Sequence, residues 1–152
     1  MQEPYVIVTR GFRNSREGDQ ITGFQLDLRI PYYRGTFLSL IHYLSLSVDG
    51  ETIPPERIKI GVKGLQFTMA EMKEADHVRW GFRDTATLYV DKPGGLVPGL
   101  HEIETGIVIR KSYMPAEDPE HLYDFFGLWN DGVYHTFIED PMIITKRMTL
   151  VQ

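Results

Sequence analysis

The stretch "TGFQLDLRI", residues 22–30, decides the fold. Thr22, Phe24, Leu26, Leu28 and Ile30 fall on one side of an extended chain. Gly23, Gln25, Asp27 and Arg29 fall on the other. Strict alternation of this kind is the mark of a β-strand with one buried and one wet face. The strand runs into Pro31, two tyrosines, Arg34 and Gly35, and "FLSLIHYLSLSV" (37–48) follows at once. There Leu38, Leu40, Leu44, Leu46 and Val48 line up with His42 among them, and Asp49-Gly50 then supplies a turn.

The same period of two recurs along the chain. "RIKIGV" and "LQFT" flank Lys63-Gly64 and read as a hairpin. "HVRWGF" and "TATLYV" flank Arg83-Asp84 and read as another. "HEIETGIVIRKSY" is a long strand, and "PMIITKRMTLV" is the last. Only "MAEMKEAD" (69–76) has a helical look, with Thr68 as N-cap and Glu71 three residues on, as in a capping box. Eight to ten short strands at regular spacing predict an all-β protein, an antiparallel β-sandwich of jelly-roll or immunoglobulin-like Greek-key type. With no internal repeat and no linker, residues 1–152 are expected to form one domain.

Composition agrees with this reading. The 152 residues carry 42% hydrophobic and 24% charged side chains, ordinary for a globular domain. The net charge of −5 and the scattered Arg and Lys argue against nucleic acid. With no cysteine there is no disulfide, thiolate nucleophile or Cys-ligated zinc, which fits a reducing compartment. "MQEPYVIVTRGF" shows no basic-then-apolar leader, and no apolar run reaches the roughly 20 residues of a membrane span. A soluble, cytoplasmic protein is expected.

Two loops interrupt the strands. "DKPGGLVPGL" (91–100) reads as a crossing between sheets. Residues 114–141 are too long for a simple connection and hold Tyr123, Phe125, Phe126, Trp129, Tyr134 and Phe137. Such aromatic content predicts an ordered excursion that packs on something.

Catalytic chemistry is hard to find. There is no GxSxG, and the histidines at 42, 77, 101, 121 and 135 show no close pairing of the kind a local metal clamp needs. His42 reads as a core histidine, while His121 and His135 are the better site candidates. Glu117, Asp118, Glu120 and Asp124 form an acidic run without EF-hand spacing, which reads as a solvated loop. Trp80 reads as a core anchor, with Arg79 on the opposite face. "KPGG" precedes no helix and is not a phosphate loop. What remains is a sandwich with aromatic and arginine residues at "PYYRG" and in the excursion, types enriched at interface hot spots. A binding or accessory module is the leading reading, and a stand-alone carbohydrate-binding module is the alternative.

"YVIVTRGFRN" (5–14), "ITGFQLDLRIPYYRG" (21–35), "VRWGF" (78–82), "ATLYVDKPGGLVPGLHEIE" (86–104) and "IRKSYMP" (109–115) resemble the small, or β, subunit of bacterial C-glycoside deglycosidases. The resemblance covers most of residues 5–115 and leaves the excursion unassigned. It implies a β-sandwich paired with a TIM-barrel α subunit that carries a divalent metal, commonly manganese, and no cofactor in this chain. It implies cleavage of the carbon–carbon bond between sugar and aromatic aglycone, such as a flavonoid, in a 3-oxo-glucoside, and no catalytic residue here. Tyr32, Tyr33, Arg34, Phe125, Phe126, Trp129, Tyr134 and His135 are then the expected partner interface or wall of the aglycone pocket.

Overall fold

In the computed structural model, the described residues are 6–30, 35–109 and 142–151. The stretch that opens the chain's hydrophobic pattern becomes β2 (Gln20–Arg29). Phe24, Leu26 and Leu28 are wholly buried and Ile30 nearly so, as the alternation requires. β1 (Ile7–Glu17) pairs with it on one side and β9 (Thr85–Asp91) on the other. β6 (Ile58–Val62) pairs with the far side of β9, and β7 (Leu65–Thr68) closes a five-stranded antiparallel sheet in the order β1-β2-β9-β6-β7. Register puts Phe24, Val90 and Ile58 in one buried row, and Leu26, Leu88 and Ile60 in the next.

The second sheet has the order β11-β10-β4-β5, from β4 (Ile41–Val48), β5 (Glu51–Thr52), β10 (Gly99–Ile109) and β11 (Met142–Leu150). Leu46, Val48, Ile103, Ile107, Ile144, Met148 and Leu150 face the first sheet and join it in one buried cluster. Thr105 occupies a core position because its hydroxyl donates to the Ser45 carbonyl at 2.8 Å. Lys146, half-buried, spends its ammonium on the Ile7 carbonyl at 2.9 Å and so ties β11 to β1 across the seam. The result is the expected all-β sandwich.

The Lys63-Gly64 hairpin forms as read, with both residues at positive φ (53° and 81°), the backbone a two-residue turn demands. The Asp49-Gly50 turn joins β4 to β5. Of the expected crossing at 91–100, residues 92–98 do pass from one sheet to the other, from β9 to β10, while 91, 99 and 100 belong to those strands. The capping box is present, Thr68 and Glu71 bonding each other's backbone N–H groups, but α1 spans only Met69–Met72. Beyond it, Glu74 and Ala75 bond back three residues, to Glu71 and Met72, so the helix tightens into turns rather than continuing to 76.

One expected hairpin does not form. β8 (Arg79–Trp80) pairs with β3 (Thr36–Phe37), not with β9. β9 already has β2 and β6 on its two edges, so no edge is left for β8. Residues 37–48 are likewise not one strand, because Leu38–Leu40 winds into a 3-10 turn before β4. The excursion at 114–141 lies outside the described residues.

Candidate functional site

Two places on the described surface combine unusual chemistry with defined geometry. The first is the β3–β8 ribbon, whose β3 directly follows "PYYRG" in sequence. Gly35 packs so closely on Trp80 and Gly81 that an added Cβ would lie 2.7 Å from the Trp80 carbonyl oxygen. Trp80 is wholly buried, and its indole N–H donates to the Asp84 carbonyl at 3.0 Å. Arg79 points the other way, as alternation requires, and its guanidinium lies 5.7 Å from the centre of the Phe37 ring. Phe37 and Phe82 are 38% and 47% exposed, large apolar surface close to this ribbon. The ribbon is held to the helical turns by Leu38 N–H on the Val78 carbonyl and Ser39 N–H on the Ala75 carbonyl.

The second place is a cleft of about 340 Å³ where the β4–β5 turn meets the crossing loop. Phe24, Ile53 and Leu96 supply its apolar lining, and Asp49, Lys92 and His101 its charged and polar part. The loop is pinned by Asn14, which donates to the Leu96 carbonyl at 3.0 Å and accepts from the Leu96 N–H at 2.9 Å. Gly95 beside it has φ of +64°, and any Cβ there would run into the Asn14 amide. In β1 the register slips between Val8 and Arg13, and the irregularity brings Phe12 inward. Its ring meets His101 edge-on, 6.2 Å between centres.

His101 is buried on β10. Its Nδ1 lies 2.6 Å from Asp49 Oδ2, and its Nε2 lies 2.7 Å from the Val97 carbonyl. Asp49 Oδ1 accepts the Glu102 N–H at 2.8 Å. Burial works against the charge on His101, yet bonds to the Val97 carbonyl and the Asp49 carboxylate outweigh it and hold its pKa above the usual histidine value. Asp49 is held below the usual carboxylate value, first by the Glu102 N–H and then by His101. With both ring nitrogens and both carboxylate oxygens engaged, the pair does not fit a metal ion. Among the described residues no group of three or more metal-ligating side chains gathers.

Tyr32, Tyr33, Arg34, Phe125, Phe126, Trp129, Tyr134 and His135 all lie outside the described residues, as do His121 and the acidic run at 117–124. His42 is half-buried on β4. Asp49 reads in sequence only as a turn residue and His101 only as one of five histidines. Their partnership spans 52 positions, and nothing local signals it.

A sequence profile described as C-glycoside deglycosidase beta subunit matches residues 2–113. The chain belongs to the C-glycoside deglycosidase beta subunit family. It is 41% identical over 114 residues to a C-glycoside deglycosidase beta subunit of Eubacterium cellulosolvens, covering 74% of this chain and 78% of that protein. It is 33% identical over 96 residues to a 3'-dehydrocarminate deglycosidase beta subunit of a Microbacterium species, covering 62% and 71% of the two chains. A C-glycoside deglycosidase beta subunit of Microbacterium trichothecenolyticum is 29% identical over 98 residues, 64% of this chain and 74% of the other. The family match therefore takes in both the β3–β8 ribbon and the cleft, and ends before β11, which completes the second sheet.

Proposed function

We propose that this chain is the accessory β subunit of a heteromeric C-glycoside deglycosidase whose chemistry is carried by an α subunit. The observation that carries the reading is the family match over residues 2–113, with relatives named as beta subunits. In this reading the partner is a TIM barrel holding a divalent metal, manganese by preference, and the substrate is a 3-oxo-C-glucoside. The carbon–carbon glycosidic bond offers no leaving oxygen to protonate, so two-carboxylate hydrolysis fails on it. A ketone at C3 acidifies the C2 proton. A base of the partner removes that proton, and the electron pair moves onto the carbonyl oxygen. Elimination then forms the C1–C2 double bond and breaks the bond to the aglycone, whose ring carbon takes up a proton.

The role proposed for this chain is to cover the partner near its active-site mouth. Tyr32, Tyr33, Arg34 and part of the 114–137 excursion would form interface and one wall of the aglycone pocket, where flat rings suit aromatic side chains. The half-exposed Phe37 and Phe82, close to Gly35 where the 31–34 segment ends, support an interface there. That His101 and Asp49 satisfy each other supports a supporting rather than a catalytic role for this chain.

The test assays each subunit alone and the two mixed, with manganese and a 3-oxo-C-glucoside. Aglycone release by the mixture and not by this chain alone is expected. Release by this chain alone would overturn the division of labour.

A further inference from the structure

We propose that His101 is an imidazolium clamp that holds the crossing loop against the β4–β5 turn and lets go of the loop at Val97 when it loses its proton.

The geometry requires two N–H donors. Asp49 Oδ2 at 2.6 Å and the Val97 carbonyl at 2.7 Å are both acceptors. A neutral imidazole has one N–H, so one nitrogen would aim a lone pair at an oxygen. The doubly protonated ring satisfies both contacts. The ring is also shielded, with 7% of its side chain exposed and the Phe12 ring against it, so water is poorly placed to repair a lost bond.

The structure also says which contact yields. Asp49 is fixed to β10 without His101: its N–H donates to the Glu102 carbonyl at 2.8 Å, and its Oδ1 accepts the Glu102 N–H at 2.8 Å. A neutral ring keeps its proton on Nδ1, toward the carboxylate, because a charged acceptor makes the stronger bond. Nε2 then faces the Val97 carbonyl lone pair to lone pair. Val97 is 73% exposed and free to move outward. Leu96, one residue earlier, stays tied to Asn14. Release is therefore a local opening of the cleft at Val97, not an unfolding of the loop.

Among the described residues, the charges that line the cleft with His101 are few. From the turn comes Asp49, from β5 Glu51, and from the crossing loop Lys92, all lining the same cleft. β11 places Met148 opposite His101, and Glu102 beside it on β10 faces away toward Arg147 at 3.5 Å. β1 sets the Phe12 ring against His101. The two carboxylates favour the imidazolium and Lys92 opposes it. The balance of burial and bonding, which raises the pKa of His101, points the same way.

The test is an NMR titration of the full chain that follows the imidazole nitrogens of His101 together with the backbone amides of Leu96, Val97 and Gly99. Below pH 6.5 both ring nitrogens are expected to carry hydrogen. The amide of Val97 should shift with the same midpoint as the ring, while that of Leu96 holds its protection from exchange on both sides of it. In Asp49→Asn, which tolerates the φ of 52° at that position, the midpoint should fall. In His101→Gln the Val97 amide should stop responding to pH. A singly protonated ring at pH 6, a Val97 amide that ignores the ring, or an Asp49→Asn midpoint equal to the native one would each overturn the clamp. Should His101→Gln fail to fold, the Asp49→Asn comparison decides alone.

Discussion

Replacing Asn14 with alanine removes the two hydrogen bonds that hold the crossing loop to β1. Both are buried, and both end on the peptide groups of Leu96, itself 9% exposed. An unsatisfied buried donor or acceptor costs about 1–3 kcal/mol. The loop lies at the mouth of a cleft, so water reaches part of the gap, and the lower half of that range applies to each group. The sum is about 2–4 kcal/mol. For a domain of this size each kcal/mol moves Tm by roughly 2–4 °C, so a drop of roughly 4–16 °C is expected. Urea unfolding gives the free energy and calorimetry gives Tm. Asn14→Asp, which keeps an acceptor for the Leu96 N–H but sets a carboxylate oxygen against the Leu96 carbonyl, should be destabilised too. A loss below about 0.5 kcal/mol for Asn14→Ala, the range of neutral surface changes, would refute the reasoning: the loop would then be held by something other than Asn14.

Trp80→Ala should cost about 3–5 kcal/mol by thermal or chemical unfolding, since the wholly buried ring leaves a large void. Gly23→Ala should destabilise severely and lower the soluble yield, because the new Cβ runs into the Val90 carbonyl of the neighbouring strand. The His101–Asp49 pair should make stability pH-dependent. Asp49, lowered from 3.8, contributes above that value and loses its contribution as pH falls through its folded pKa. His101, raised from 6.5, contributes below that value and loses its contribution as pH rises through its folded pKa. The Tm gap between the native chain and Asp49→Asn should therefore be widest between 3.8 and 6.5 and shrink on the alkaline side. Phe37→Ser with Phe82→Ser should lower Tm, since each ring is more than half buried, and should also weaken association with the partner subunit, read by calorimetric titration at a temperature where both chains stay folded; unaltered affinity would remove the ribbon from the interface.

The sheet strands were legible wherever a strand has one wet face, because alternation then records burial directly. β2 shows this best, with Phe24, Leu26 and Leu28 all fully buried. Turns at Asp49-Gly50 and Lys63-Gly64 were legible because few residue types accept positive φ. Pairing between distant segments was not. Trp80 looks like half of a local hairpin, since a turn does form at 81–84 with the Asp84 N–H on the Gly81 carbonyl. Its strand nonetheless finds Thr36, 44 positions earlier, because both edges of β9 are taken. The His101–Asp49 contact was illegible for the same reason: two polar residues 52 positions apart meet only once β4 pairs with β10 in the second sheet. Family membership was legible because it rests on long strings rather than on pairings, whereas the proposed interface at 31–34 and 114–137 was read from residue type alone.

Under the proposed function this chain works as one subunit of a heteromer. That reading is tested most directly by co-expressing the chain with the α subunit, sizing the product by chromatography with light scattering, and assaying the peak with manganese and a 3-oxo-C-glucoside. One peak containing both chains and releasing aglycone is the predicted result. Two separate peaks, neither of which releases aglycone, would contradict the account.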